Sequence, residues 1–252
     1  MHALATELAG AAVDRYAGFL TDIRNQVEIA LYRGTYGSPI REEAFFSAKE
    51  AARRYVSLEQ AHLNDESAEI ARKALKQVNE DLGVQTEGLH DRFADFIYSA
   101  ASYTATNIAA QAERDVMTVA RQMRTDAQRV DLYVRSGRYS QATAVAAVML
   151  ENRQSPAFQF VDRIGRRFKS TKHIRDTYRH HALTTYNEVY MDLVAEHGHD
   201  VVYVDHPDPD YRMIGQALAL VDVQDATPLY YDMREEIFHP SSNATLTINQ
   251  EG

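Results

Sequence analysis

The stretch that decides the fold is KHIRDTYRHHALTTYNEVYMDLVAEHGHDVVYVD, residues 172–205, within which the chain changes character. Its apolar side chains recur every three or four residues and so share one face of an amphipathic helix: Ile174, Tyr178, Ala182, Tyr186, Val189, Tyr190, Leu193 and Val194. The same spacing leaves four polar residues outside that face: Arg175, Arg179, Asn187 and Glu196. Gly198 can take the left-handed conformation that ends a helix, and Val201–Val204 are of the types that favour a strand. We therefore expect a helix followed by a strand.

The residues before this stretch have the periodicity of helices. The pattern predicts one helix over residues 3–31, a second over 41–62, and a third that is capped by Asn64 or Asp65 and ends near Leu82. Glycines, serine and proline between the first two indicate a loop. The N-terminal part of the chain is thus predicted to be entirely helical.

The longest uninterrupted pattern runs from Leu89 to Val134 without proline or glycine. As a single helix it would be about 70 Å long at 1.5 Å per residue. A break in the Ser99–Thr106 region, which is rich in small and hydroxylated residues, is the alternative, and we favour the single helix. A short helix over residues 140–151 follows, and Ser155-Pro156 can open another.

The C-terminal part predicts short strands and loops. After the strand at residues 201–204 come a loop rich in proline and aspartate, a second apolar run at 216–223, and a terminal strand with alternating Leu246 and Ile248. The predicted fold is mainly α, with long helices in an N-terminal body, residues 1–169, and a small C-terminal α+β module, residues 170–252.

The composition excludes several classes of protein. The 252 residues include no cysteine, which rules out disulfides, a cysteine-based zinc site and a cysteine nucleophile. No stretch approaches the roughly 20 apolar residues that cross a bilayer, and the first residues lack the apolar core of a signal peptide. The formal charge is −9, which disfavours wrapping nucleic acid with the whole surface. A cytosolic or virion protein fits best.

Potential metal ligands are densest after the helix of the opening stretch: His197, His199, Asp200, Asp205, His206, Asp208 and Asp210. Imidazoles and carboxylates suit zinc, but no HExxH pair is present, and turn chemistry explains these residues better than a metal does. His180 and His181 are adjacent on a helix and are expected at the surface or in an interface. There is no glycine-rich phosphate loop and no GxSxG or kinase motif, so we expect neither catalysis nor a cofactor.

A cluster of positive charge stands out in this acidic chain. Its members are Arg163, Arg166, Arg167, Lys169, Lys172, Arg175 and Arg179, with only Asp162 and Asp176 as local acids. Such a segment can contact phosphate or an acidic protein surface. A solvated basic face that is neutralised by acids elsewhere in the fold is the alternative.

A series of motifs follows in a recognisable order over residues 136–248. It comprises SGRYSQATAVAAVM, then Thr184, Thr185, Asn187 and Glu188 on the helix, Gly198, the strand, Asp210-Tyr211-Arg212, Leu218, His239-Pro240 and Asn243. In this order the C-terminal third resembles the head morphogenesis, or minor head protein, family of tailed bacteriophages. The chain lacks the paired cysteines and the histidine after Asp-x-Arg of that family, and it has Ala219 where the family has glycine.

The resemblance implies a structural virion protein at the portal or the inner capsid, present in multiple copies, that assists head assembly or the packaging and delivery of the genome. Portal protein, major capsid protein and packaged DNA are the implied partners, with the host cytoplasm as the site of assembly. Asp210 and Arg212 are expected to position their loop by hydrogen bonds within the module. A metal-dependent hydrolase or transferase that uses the His197–Asp210 cluster, and a helical adaptor of the host, are the alternatives.

Overall fold

The computed structural model describes residues 1–33, 38–86, 92–154, 159–161, 167–221, 227–239 and 242–249. In these ranges the helices are α1 (His2–Tyr32), α2 (Ser38–Leu82), α3 (Arg92–Arg135), α4 (Gln141–Gln154), α5 (Ser170–Glu196) and α6 (Tyr230–Ile237). The strands are β1 (Gln159–Val161), β2 (Arg167–Lys169), β3 (Val201–Asp205), β4 (Ala217–Ala219) and β5 (Thr245–Thr247). The predicted fold class is confirmed: the chain is mainly α, with long N-terminal helices and a small C-terminal module that contains a three-stranded sheet.

The two longest helices give different outcomes for the sequence analysis. Helix α3 is unbroken over 44 residues, so the single-helix prediction is confirmed and the break near residues 99–106 does not occur. The prediction of two helices between residues 41 and 82 is wrong, because α2 is one helix of 45 residues. Asn64 and Asp65, expected as caps, lie in its interior.

Helix α2 continues past the predicted end at residue 62 because the same face of the helix remains buried. Its core positions include Glu59 and Ser67, whose polarity interrupts the apolar pattern in the sequence, although both side chains are almost fully buried. Each is compensated by a hydrogen-bonding partner: Glu59 accepts from Arg15, and Ser67 contacts His181. Leu63 and Ile70 keep the same face in register, and both are fully buried.

The chain forms two compact units. Unit 2 comprises residues 12–59 and 106–174. Its core contains the stacked rings of Phe19 and Tyr55, whose centroids are 5.0 Å apart, with Tyr16 at 5.4 Å from both. Residues 159–161 and 167–169 pair as the antiparallel strands β1 and β2, which the sequence analysis did not anticipate. The helix start expected at residues 155–156 lies outside the described residues.

Unit 2 also buries a carboxylate that several donors satisfy. Asp115 is 2% exposed and accepts hydrogen bonds from Tyr16 Oη (2.6 Å), Ser170 Oγ (2.9 Å) and Gln111 Nε2 (3.1 Å). Burial raises the pKa of Asp115, and the three donors oppose that rise because they stabilise the ionised form. The network joins side chains of α1, α3 and α5.

Unit 1 comprises residues 1–11, 60–105 and 175–252. Its central element is α5, which is buried on most of its circumference between residues 181 and 194. The helix ends at Glu196, and Gly198, two residues later, has a φ of 81°, the left-handed value predicted for it. The strands of the C-terminal module form an antiparallel sheet in the order β4-β3-β5, with Val202 opposite Leu218 and Val204 opposite Leu246. These four side chains pack into the core that surrounds α5.

Across the described residues, no helix combines the length and the apolar character needed to span a membrane.

Candidate functional site

The most elaborate polar site of unit 1 lies where α5 meets the C-terminal segments. Asn187 is 1% exposed, which contradicts its predicted position outside the buried face of the helix. Its Oδ1 accepts a hydrogen bond from the Leu246 amide (3.1 Å), and its Nδ2 donates to the Ala244 carbonyl (3.2 Å). The side-chain amide of Asn187 therefore forms the two hydrogen bonds that the backbone of a neighbouring strand would otherwise form.

Tyr190 extends the same contact by one helical turn. Its hydroxyl accepts from the Ile248 amide (3.1 Å) and donates to Asp81 Oδ2 (2.6 Å), while Gln77 Nε2 donates to the other oxygen of Asp81 (2.9 Å). Because β5 is an edge strand, the outward amides of Leu246 in the strand and of Ile248 just after it face no neighbouring strand, and Asn187 and Tyr190 accept their hydrogen bonds. The helix thus closes this edge of the sheet.

Glu188, the next residue after Asn187, connects α5 to α6. Its Oε1 accepts from Tyr230 Oη (3.0 Å) and from Arg234 Nε (3.1 Å). Burial raises the pKa of the Tyr230 phenol, and the adjacent Glu188 carboxylate adds to the rise. Burial also lowers the pKa of His180, and the positive charges of Arg234 and His239 lower it further. Glu188 therefore receives a phenol and a guanidinium, while the surroundings of His180 favour its neutral form.

His181 is a second polar residue that the sequence analysis placed wrongly. We expected it at the surface or in an interface, but it is 5% exposed, with its ring between α2 and α3. Nε2 lies 2.8 Å from Ser67 Oγ and Nδ1 lies 3.0 Å from Thr104 Oγ1. Burial lowers the pKa of His181 to about 4, so the ring is neutral at neutral pH.

The hydrogen bonds assign the tautomer of His181. Ser67 Oγ also lies 2.5 Å from the Leu63 carbonyl, which can only accept, so the serine proton points there. Ser67 must then accept from Nε2–H, and Nδ1 accepts from Thr104. A histidine that donates to serine does not act as its base, and Ser67 is fully buried, so this pair is structural and not a nucleophilic site.

The potential metal ligands are described in full and do not converge. His197 Nδ1 donates to the Leu193 carbonyl (2.8 Å), whereas the His206 ring stacks on Tyr211 at 4.1 Å and accepts from the Asp208 amide. Asp205 accepts from Thr245 Oγ1 (3.3 Å). Within the described part of the chain, no three histidine or acidic side chains are placed to hold a metal ion.

Asp210 and Arg212 of the Asp-x-Arg motif each form a hydrogen bond with a different partner within the C-terminal module. The Asp210 amide donates to Asp208 Oδ1 (3.1 Å), and Arg212 Nη2 donates to Glu236 Oε1 (3.0 Å) on α6. Both partners of the second bond are exposed, at 81% for Arg212 and 56% for Glu236. The motif therefore contributes one turn within the loop and one surface ion pair between the loop and α6.

The other predicted site residues are spread over the C-terminal module. Leu218 is fully buried in β4, Asn243 is half-buried before β5, and His239 is exposed after α6. The Thr184 and Thr185 hydroxyls are buried without a hydrogen-bond partner among the described residues. Pro240 lies outside the described residues.

The basic segment is only partly described. Arg163 and Arg166 lie outside the described residues, and Arg167 belongs to β2. Lys169, Lys172 and Arg175 are exposed, and Arg179 is half-buried. Three exposed cations therefore lie within one turn and a half of the start of α5.

Comparisons with profiles of known protein families, with curated proteins and with solved structures find no match for this chain.

Proposed function

We propose that the protein is a structural component of a tailed-phage particle, associated with the portal or the inner capsid, that assists head assembly or the packaging and delivery of the genome. The observation that carries this proposal is the position of the motif residues behind the phage-family resemblance. Asn187 binds β5 and Glu188 binds α6, so consecutive motif residues tie the central helix to two separate C-terminal segments.

Further support comes from the structural roles of the motif residues. Asn187 and Leu218 maintain the edge and the core of the small sheet, and Arg212 bonds to α6. Such roles suit a module whose shape is recognised by neighbouring proteins in an assembly. Portal protein, major capsid protein or both are the proposed partners, and the exposed cations at residues 169–175 are the proposed contact with packaged DNA.

The decisive test is the composition of the particle. Particles purified from the source phage should contain this chain at a fixed copy number relative to portal protein, as measured by quantitative mass spectrometry. A particle preparation that contains portal protein but none of this chain, from a lysate in which the chain is abundant, would overturn the proposal.

A further inference from the structure

An open apolar groove lies between the N-terminal half of α2 and the middle of α3, both within unit 2. It has two stretches with volumes of about 450 Å³ and about 440 Å³, and Val116 and Met117 line both of them. Along α2 the groove extends from Glu42 to Ser57, a length of about 22 Å at 1.5 Å per residue. The two stretches adjoin at Val116 and Met117, and together they are long enough for a helix of four turns.

The floor of the groove is apolar and parts of its wall are solvent-exposed. Ala48 and Ala52 are small side chains at its base, and Val56 lies further along the same face of α2. Met117 lines both stretches of the groove and is 42% exposed, and Phe45 lines the first stretch. Large apolar side chains exposed beside an apolar groove mark a surface that gains free energy when it is covered.

The charges of the groove identify the chemistry of its occupant. Lys49 and Arg53 flank it on α2, and Arg121 and Arg124 flank it on α3. Against these four cations the lining contains two anions, Glu42 and Glu113, and Arg53 is already paired with Glu50 outside the lining. The lining is thus net positive although the whole chain carries −9. Cations on both sides of an apolar floor complement a helix that has an apolar face between acidic flanks.

We propose that this groove binds an acidic amphipathic helix of a partner protein, with the apolar face of that helix against Val116 and Met117 and its carboxylates against Arg121, Arg124 and Lys49. A second copy of this chain is a poorer occupant, because two molecules of charge −9 repel each other. The inference concerns unit 2 alone and holds whether or not the protein belongs to a phage particle.

The charge complementarity is tested with two synthetic peptides of about 15 residues, the length that fills the groove. Both carry the same leucine face at helical spacing, one with glutamate and the other with lysine on the flanks. Fluorescence anisotropy with the full chain should show that the glutamate peptide binds about tenfold more tightly or better. The double variant Arg121→Glu/Arg124→Glu should reverse this preference. Failure of the glutamate peptide to bind, or equal affinity for both peptides, overturns the proposal.

The location is tested with a matched pair of variants on α3. Met117→Glu places a carboxylate in the groove and should weaken binding of the glutamate peptide by about tenfold. Leu132→Glu changes a more exposed side chain, 66% exposed, outside the groove lining and should leave the affinity unchanged. Thermal unfolding checks that each variant is folded. If Met117→Glu does not fold, the Arg121→Glu/Arg124→Glu variant serves as the test of location. The proposal would be overturned if Met117→Glu and Leu132→Glu changed the affinity for the glutamate peptide equally. It would also be overturned if sedimentation showed a dimer that Met117→Glu dissociates.

Discussion

The Leu246 amide donates a hydrogen bond to Asn187 Oδ1 at 3.1 Å, across 59 residues of sequence. Together with the bond from Asn187 Nδ2 to the Ala244 carbonyl, it attaches the edge strand β5 to the buried side of α5. Water is excluded from this position, since Asn187, Ala244 and Leu246 are all buried. Without the side-chain amide, one backbone donor and one backbone acceptor would lack partners, so the integrity of the sheet edge depends on Asn187.

Replacement of Asn187 should therefore destabilise the protein well beyond the loss of a surface polar group. We expect Asn187→Ala to lower the free energy of unfolding by about 1–3 kcal/mol, because two buried backbone groups lose their partners. Asn249→Ala is the control: this residue is exposed on the same segment, and the change should cost about 0.5 kcal/mol or less. Urea denaturation measures both values. Equal stability of the two variants would refute the proposed role of Asn187.

The buried ion pair of unit 2 should respond unequally to loss of its two partners. Arg15 donates to both carboxylate oxygens of Glu59, and the side chains are 24% and 1% exposed respectively. Arg15→Ala leaves a buried carboxylate without its cation and should cost about 3–5 kcal/mol. Glu59→Ala should cost less, because the remaining guanidinium can be hydrated.

The exposed pair of Arg53 and Glu50 is the control for this asymmetry. Its side chains are 72% and 37% exposed, so either alanine variant should change the free energy of unfolding by about 1 kcal/mol or less. Chemical denaturation of all four single variants provides the comparison. A greater loss in Glu59→Ala than in Arg15→Ala would contradict the argument from burial.

Arg212 should matter little for stability although it belongs to the Asp-x-Arg motif. Its bond to Glu236 joins two exposed side chains, so Arg212→Ala should lower the free energy of unfolding by about 1 kcal/mol or less. If the motif serves contacts with partner proteins, the same variant should be incorporated less well into particles. A large loss of stability in the free protein would instead show that Arg212 contributes mainly to the stability of the fold.

Charge reversal in the basic segment separates an external contact from internal pairing. Lys169 and Arg175 are exposed and Arg179 is half-buried, so changing all three to glutamate should leave the melting temperature nearly unchanged. The triple variant should bind DNA more weakly, and raised salt should weaken wild-type binding in the same way, because screening acts over about 8–10 Å. A lowered melting temperature would show that acids of the fold neutralise the segment.

The sequence could predict those elements in which apolar residues recur without a local cap or stop signal, even where buried polar residues such as Asp115 of α3 lie among them. Helix α3 keeps its three-or-four spacing from end to end, and the change from helix to strand after Gly198 follows from local residue preferences. Helix α2 was divided in the prediction because Asn64 and Asp65 are typical helix caps, whereas both lie inside the helix and its buried face continues through Glu59 and Ser67. Burial of a polar residue in the core requires a hydrogen-bonding partner that is often distant in sequence. The local sequence of α2 does not indicate that Arg15 and His181 are the partners of Glu59 and Ser67.

The same limit applies to the candidate site. Asn187 follows Tyr186 and precedes Glu188 in a helix that is buried nearly all round, and the amphipathic pattern alone assigns it to the polar side. A signal was present, because the apolar residues between 181 and 194 cover more than one face, which is typical of a central helix. Its partners at residues 244 and 246 were beyond prediction, since register between distant segments is set by tertiary packing.

His181 makes the stability of the protein sensitive to mildly acidic pH. The folded chain lowers the pKa of this side chain from 6.5 to about 4, so the unfolded chain takes up the proton first as the pH falls. The stability associated with the neutral ring is complete above pH 6.5 and is lost progressively toward pH 4. By linkage, this one group should cost about 2 kcal/mol between pH 7 and pH 5.

The contribution of His181 can be isolated by a side chain that forms hydrogen bonds but does not titrate in this range. His181→Gln should therefore lose about 2 kcal/mol less than the wild type when the free energy of unfolding is compared at pH 7 and pH 5. His199→Gln removes an exposed imidazole and should leave the pH dependence of the wild type in place. Urea denaturation of the three proteins at both pH values makes the comparison. If His181→Gln and the wild type lose the same free energy, the ring must be protonated in the folded state at pH 5, and the hydrogen bond from Thr104 to Nδ1 would then be wrongly assigned.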